Sequence, residues 1–195
     1  MNLQRIAILA VQESRMTNED IRNLENKHPG LKFLNNGNHS NKQGILFTIN
    51  ERLLEIEKGE LERNHKILIP NTVSQLKIKW GEDQNLNLVN IYAPNYIKEK
   101  ETFYKKLAKE QKKEPQENLC IMGDTNCVLD NITRSSAHAN NKQVTNQLRK
   151  IIRKYKLLDT WRIQNPKKKK YTFDQKGLGA AARIEKSMGQ GWGLG

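Results

Sequence analysis

Leu119-Cys120-Ile121-Met122-Gly123-Asp124-Thr125-Asn126 is the stretch that decides how this chain is read. Its apolar first half makes a short buried strand, and the glycine then turns the chain. An acid and an amide follow, one residue apart from each other. At the end of a strand such a pair projects into a cleft. There the acid activates a water or holds a cation, and the amide orients a nucleophile or a phosphate oxygen. Taken alone, the same residues also make an ordinary turn.

Working outward, the chain is a series of short strands broken by a few helices. Ile6-Ala7-Ile8-Leu9-Ala10-Val11 reads as a strand buried on both faces. Thr17 with Asp20 three residues on predicts a capped helix that runs to about Lys27 and stops at Pro29-Gly30. The segment from Asn35 to Gln43 is a polar loop, and Gly44–Ile49, Leu54–Glu57 and Lys66–Ile69 read as strands. Leu76–Trp80 and Leu86–Ile91 alternate with period two around a turn at Gly81–Asn85, which is a hairpin pattern. Lys98–Lys113 and the face Val144, Leu148, Ile151, Ile152 and Tyr155 predict two amphipathic helices. Leu157–Trp161 follows, and Tyr171-Thr172-Phe173 reads as a last strand. Residues 177–195 hold six of the twelve glycines without periodicity and are expected to be unstructured rather than a strand pair. Such a pattern predicts an α/β sandwich of packed sheets with helices outside; an open α/β sheet is the alternative. The hairpin argues against a purely parallel sheet.

Charge is the strongest bulk signal. There are 34 Lys and Arg against 21 Asp and Glu, a net +13. That surplus suits a polyanionic partner, although a solvated Lys-rich surface would give the same count. Cys120 and Cys127 are too few for a disulfide framework and are expected as reduced thiols. No apolar run approaches the roughly 18 residues that cross a bilayer, and no leader is visible, so the expected location is intracellular.

Two further strand ends carry chemistry. Glu13 follows the first strand in Val11-Gln12-Glu13-Ser14, and a carboxylate there suits Mg²⁺, which takes few carboxylates plus water and phosphate. Tyr92, in Asn90-Ile91-Tyr92-Ala93-Pro94, offers a hydroxyl to a phosphate. Each alone reads equally as a strand-exit polar residue or a core tyrosine. In this order, strand-Gln-Glu, strand-Tyr-Ala-Pro and strand-Gly-Asp-x-Asn resemble the endonuclease/exonuclease/phosphatase (DNase I-like) superfamily. Cys127-Val128-Leu129-Asp130, Arg134-Ser135-Ser136, Leu157–Arg162, Asn165-Pro166 and Tyr171-Thr172-Phe173 extend the likeness. They resemble the apurinic/apyrimidinic-type endonuclease domain of non-LTR retrotransposons.

The resemblance implies a four-layered α/β sandwich of two mixed sheets flanked by helices, spanning residues 1–186, with 187–195 a Gly-rich disordered tail. It implies Mg²⁺-dependent cleavage of the DNA backbone, with Mn²⁺ as the alternative cation. Glu13 would ligate the metal, Tyr92 would contact the scissile phosphate, Asp124 would align the attacking water and Asn126 would orient the phosphate. Thr172 would touch the substrate backbone. DNA is the implied partner, with no membrane and no stable protein partner.

The chain departs from the family pattern in three places. The family begins with an Asn-bearing strand before Gln-Glu, and here only Met1–Arg5 precede Ile6. Its Ser-Arg-Ile-Asp, whose Asp orients a catalytic His, is matched by Ala182-Arg183-Ile184-Glu185, one methylene longer at the acid. Its closing Ser-Asp-His has no counterpart, since no His follows His138. His28, His39, His65 and His138 read as surface residues outside the motif. The expected fold is therefore incomplete at both ends, and the alternative function is a catalytically inactive remnant that at most binds nucleic acid. A small-phosphoester phosphatase is a third reading, disfavoured by the charge.

From Lys142 to Lys170 there are eleven Lys and Arg and one acid, Asp159. The predicted helix there turns Arg149, Lys150, Arg153 and Lys154 away from its apolar face. The run Lys167–Lys170 precedes Thr172, so Lys169 and Lys170 are expected to meet the DNA backbone without reading bases. A solvated charge run or a nuclear-localisation patch is the alternative.

Overall fold

Thr17 starts the first helix as its spacing to Asp20 predicts. Its hydroxyl accepts from the Asp20 N–H at 3.2 Å, and the Asp20 carboxylate accepts from the Thr17 N–H at 2.8 Å. That reciprocal pair satisfies two amides a helix start leaves open, and helix α1 runs Asn18–Lys27. The computed structural model describes residues 6–37, 43–54, 56–57, 59–80, 84–112, 117–129, 141–169, 171–175, 180–182 and 185–190, with backbone alone at 80, 84, 173–175, 180–182 and 185. It divides into two units, Met1–Tyr92 and Ala93–Gly195. The architecture is mixed α/β, sheets flanked by helices.

In the first unit, strands β1 (Ile8–Gln12), β2 (Leu31–Asn36) and β3 (Ile45–Asn50) form an antiparallel sheet in the order β1-β3-β2. A 3-10 turn at Glu51–Leu53 and the short helix α2 (Glu60–Asn64) lead to β4 (His65–Ile69), β5 (Val73–Trp80) and β6 (Gln84–Tyr92), also antiparallel neighbours in that order. The two layers face each other through Ile45, Phe47 and Ile49 on one side and Leu76 and Leu88 on the other, all buried. Buried asparagines link them. Asn36 donates to the carbonyls of Ile69 and Val73 and accepts from the Asn71 N–H. Asn90 donates to the carbonyls of Val11 and Leu46 and accepts from the Gln12 side chain at 2.7 Å.

In the second unit, helix α3 (Ile97–Glu110) packs on α4 (Lys142–Lys154). Strands β7 (Leu119–Asp124) and β8 (Leu157–Asp159) precede helix α5 (Thr160–Gln164). Strands β9 (Phe173–Gln175) and β10 (Ala180–Ala182) pair with each other, and β11 (Glu185–Gln190) lies between β7 and β8, antiparallel to both.

Several expectations change. Residues 187–190 are not tail. They continue β11, and Met188 is fully buried. A strand held on both edges draws its backbone bonds from β7 and β8, so its own weak apolar pattern says little about it. Tyr171–Phe173 is likewise not the last strand element, since β10 and β11 follow. The remaining tail, 191–195, and the turn at 81–83 lie outside the described residues, as do Arg183, Ile184, His39 and His138. Strand β1 is half-buried along its length because it is the edge of its sheet. Leu54–Glu57 forms no strand among its described residues; the Asn50 side chain accepts from the Arg52 N–H and starts the 3-10 turn instead. Strand β2 and helix α2 are elements the apolar pattern does not announce.

His65 is not a surface residue. Its ring meets Phe47 edge-on at 6.3 Å, and its Nε2 is buried without a partner among the described residues. Burial lowers its pKa below the ordinary imidazole value. On acidification below about pH 6.5 the unfolded chain takes a proton that the folded chain resists, so stability falls as pH drops. The melting temperature is expected to decline from pH 7 to pH 5, and His65→Phe is expected to flatten that decline (about pH 6.5 being the ordinary imidazole midpoint). An unchanged slope would assign it to other groups.

Candidate active site

Glu13 leaves strand β1 in a left-handed backbone conformation, φ +53°, with Arg15 at +50°. Non-glycine residues adopt that conformation at a cost, and such strain gathers at functional sites. Here two backbone bonds hold it: Ser14 N–H to Gly44 O at 3.0 Å and Arg15 N–H to Gln43 O at 3.2 Å. Gly44 is required at its place, since φ is +100° and a Cβ would stand 2.8 Å from the Ser14 hydroxyl. The outcome is a half-exposed carboxylate with a fixed aim. One oxygen accepts from the Tyr92 hydroxyl at 2.7 Å, across 79 residues of sequence, and the other from the Arg15 guanidinium at 3.3 Å. Tyr92 itself is buried at the end of β6. Asn90 and Gln12, bonded side chain to side chain, hold the ends of both strands.

In the second unit, Gly123 at φ +122° and Asn126 at φ +43° bend the chain out of β7. Asp124 Oδ1 accepts from the Asn126 N–H at 2.8 Å, closing an Asx turn. The Asn126 side chain donates to Ala93 O at 2.7 Å, and the Ala93 N–H donates to Asp124 O at 2.8 Å. Thr125, buried between them, accepts from the Tyr104 hydroxyl through its carbonyl. Burial raises the Tyr104 phenol well above its usual value, so it remains a donor. The turn is thus set from three sides. Glu185 stands opposite Asp124 in the β7–β11 register.

Glu13 and Tyr92 meet in the first unit; Asp124, Asn126 and the backbone of Glu185 meet in the second. Thr172 is half-buried just before β9, and Lys169 is exposed. Lys170 lies outside the described residues. Both cysteines are free and buried, and burial pushes both thiols up, which makes them packing residues rather than nucleophiles. Among the described residues no cluster of three or more His, Cys, Asp and Glu could cage a metal ion. Mg²⁺ needs no such cage: one carboxylate with waters and phosphate oxygens suffices, and the half-exposed Glu13 fits that role.

No family model matches the chain. The "Transposon TX1 uncharacterized 149 kDa protein" of Xenopus laevis is 30% identical over 107 residues, 54% of this chain. The match covers only 8% of that relative's length. An AP endonuclease from Archaeoglobus fulgidus superposes with a TM-score of 0.73 at 17% identity, covering 94% of this chain and 76% of its own. The chain has the DNase I-like fold. A 3'-5' exonuclease from Neisseria meningitidis shares this fold, with a TM-score of 0.66 at 14% identity over 94% of this chain and 76% of its own. Among the described residues of this DNase I-like chain, no helix is long and apolar enough to cross a membrane.

Sequence reading of the candidate site missed its supports. Arg15 on Glu13, Asn90 with Gln12, and the Ala93 backbone under Asn126 are all placed by tertiary contact. Gln12, Asn90 and Ala93 stand in the motif strings, but nothing local to them gives their partners.

Proposed function

We propose that this chain is a metal-dependent phosphodiesterase acting on the DNA backbone, of the kind found in non-LTR retrotransposons. The observation that carries the reading is the 2.7 Å bond from the Tyr92 hydroxyl to the carboxylate of Glu13, whose backbone is held at positive φ. A core tyrosine and a solvated strand-exit acid have no need to be so held. A divalent cation, when bound, would offset charge on the phosphoryl oxygens and the leaving alkoxide. Glu13 would hold it. Tyr92 would keep Glu13 aimed and meet the phosphate, Asp124 would align the attacking water and accept its proton, and Asn126 would orient the phosphate. Thr172, Lys169 and Lys170 would contact the backbone, and Glu185 would orient a proton-transferring group. The net charge of +13 favours a polymeric over a small phosphoester.

The test is nicking of supercoiled plasmid with Mg²⁺ or Mn²⁺. The expected result is slow nicking that EDTA, Glu13→Ala and Asp124→Ala each abolish. Salt-sensitive retention of DNA without any cleavage would replace this reading with that of a protein that only binds nucleic acid.

A further inference from the structure

The exposed face of helix α4 answers to nothing in the proposed chemistry. Val144, Thr145, Leu148 and Ile151 are buried on one side of it. Lys142, Arg149, Lys150, Arg153 and Lys154 are exposed on the other. At 100° per residue, Lys142, Arg149, Lys150 and Arg153 fall within a stripe about 100° wide, opposite the buried face. The stripe runs for about 16 Å, the rise of roughly five base steps of a duplex strand.

A general lysine excess does not explain this face, and the other long helices serve as internal controls. Helix α1 carries Glu19, Asp20 and Glu25 against Arg22 and Lys27. Helix α3 mixes Lys98, Lys100, Lys105, Lys106 and Lys109 with Glu99, Glu101 and Glu110, and Lys105 pairs with Glu101 at 2.7 Å. Helix α4 has no acid at all, even in its first turn. An acid there would favour the helix dipole, and like charges four apart, as in Arg149/Arg153 and Lys150/Lys154, cost stability. The sequence forgoes helix stability to keep one sign of charge on one face.

We propose that the exposed face of α4 is a second nucleic-acid contact, binding the phosphate backbone of duplex DNA outside the residues that would act on the scissile bond. The proposal rests on the DNA reading above. Its occupant follows from what the face lacks. Single strands are held by stacking bases on aromatic side chains, and none is exposed on α4, whose aromatic neighbour Tyr155 is buried. Membrane insertion needs an exposed apolar face, and that of α4 is buried in the unit. A row of cations along α4 with no exposed aromatic beside it fits a duplex backbone, read by charge alone.

The test uses the full chain carrying Lys142→Gln, Lys150→Gln and Arg153→Gln, since Lys154 already lies over the Tyr155 ring at 4.8 Å. Arg149 is kept because it donates to Leu129 O at 2.9 Å. The control is Lys105→Gln, Lys106→Gln and Lys109→Gln on α3, the same loss of charge. Glutamine preserves helix propensity, and thermal melts confirm folding. Anisotropy with a roughly 20-base-pair DNA duplex is expected to show at least ~10-fold weaker binding for the α4 variant at low salt, and a log-affinity against log-salt slope shallower by about two to three. The α3 variant should change far less. Equal losses from both variants would overturn the proposal, as would tighter binding to a single strand or to duplex RNA of the same length. The two readings fail separately. Binding that depends on α4 in a chain that never nicks would sink the phosphodiesterase and leave this surface standing. Nicking with binding indifferent to α4 would do the reverse.

Discussion

Asp124→Asn is expected to leave the chain folded and to reduce metal-dependent nicking by about 10²–10⁴-fold, the usual worth of a positioned general base. The substitution separates the two things Asp124 does. As a turn residue, it accepts the Asn126 N–H at 2.8 Å through Oδ1. An asparagine carbonyl accepts the same bond, so Gly123–Asn126 keeps its shape and Asn126 keeps its hold on Ala93 O. As a base, it offers a negative charge and a site for a proton, and asparagine offers neither. Asp124→Ala loses both at once and cannot tell them apart. The measurements are the nicking rate with Mg²⁺ and the thermal melt of the same sample. A variant that melts like the parent and nicks like it would reduce Asp124 to a turn residue.

The largest expected loss of stability comes from Asn90→Leu. Asn90 is fully buried, and its amide donates to two carbonyls, Val11 O and Leu46 O, while its oxygen accepts from Gln12. Leucine fills nearly the same space but leaves those groups without this partner in a dry interior. An unsatisfied buried polar group costs about 1–3 kcal/mol, and a total loss of about 2–4 kcal/mol is expected, read as a lower urea midpoint. That is a large fraction of the 5–15 kcal/mol typical of a whole domain. Because Asn90 and Gln12 fix the ends of β6 and β1, the same variant is expected to loosen Glu13 from Tyr92. A midpoint within error of the parent would show that water or a local shift replaces the amide.

What could be read in the sequence is what each residue does with its near neighbours. The Thr17–Asp20 box, the alternation of β5 and β6 and the apolar face of α4 follow from periods of two and 3.6 and from bonds within four residues. The candidate residues were legible for the same reason, since Glu13, Tyr92 and Asp124 each end an apolar run. Strand β11 was not, because Glu185–Gln190 is a strand only by virtue of the β7 and β8 edges it joins. His65 looked like any loop-edge histidine until Phe47, eighteen residues earlier, closed over it.

The sequence by itself determined that this chain has short strands ending in an acid, a tyrosine and a Gly-Asp-x-Asn turn, and that its charge suits a polyanion. Only the tertiary structure decided that Glu13 is strained and held by Tyr92 and Arg15, that Asn126 is locked to Ala93, and that Glu185 stands opposite Asp124. The physical reason is separation along the chain. Composition and period report on groups a few residues apart, whereas a carboxylate's aim depends on partners brought to it across 79 residues by the packing of two sheets. The Gly123–Asn126 segment is a turn by its own residues; the bonds from Ala93 and Tyr104 are what give that turn a single fixed geometry.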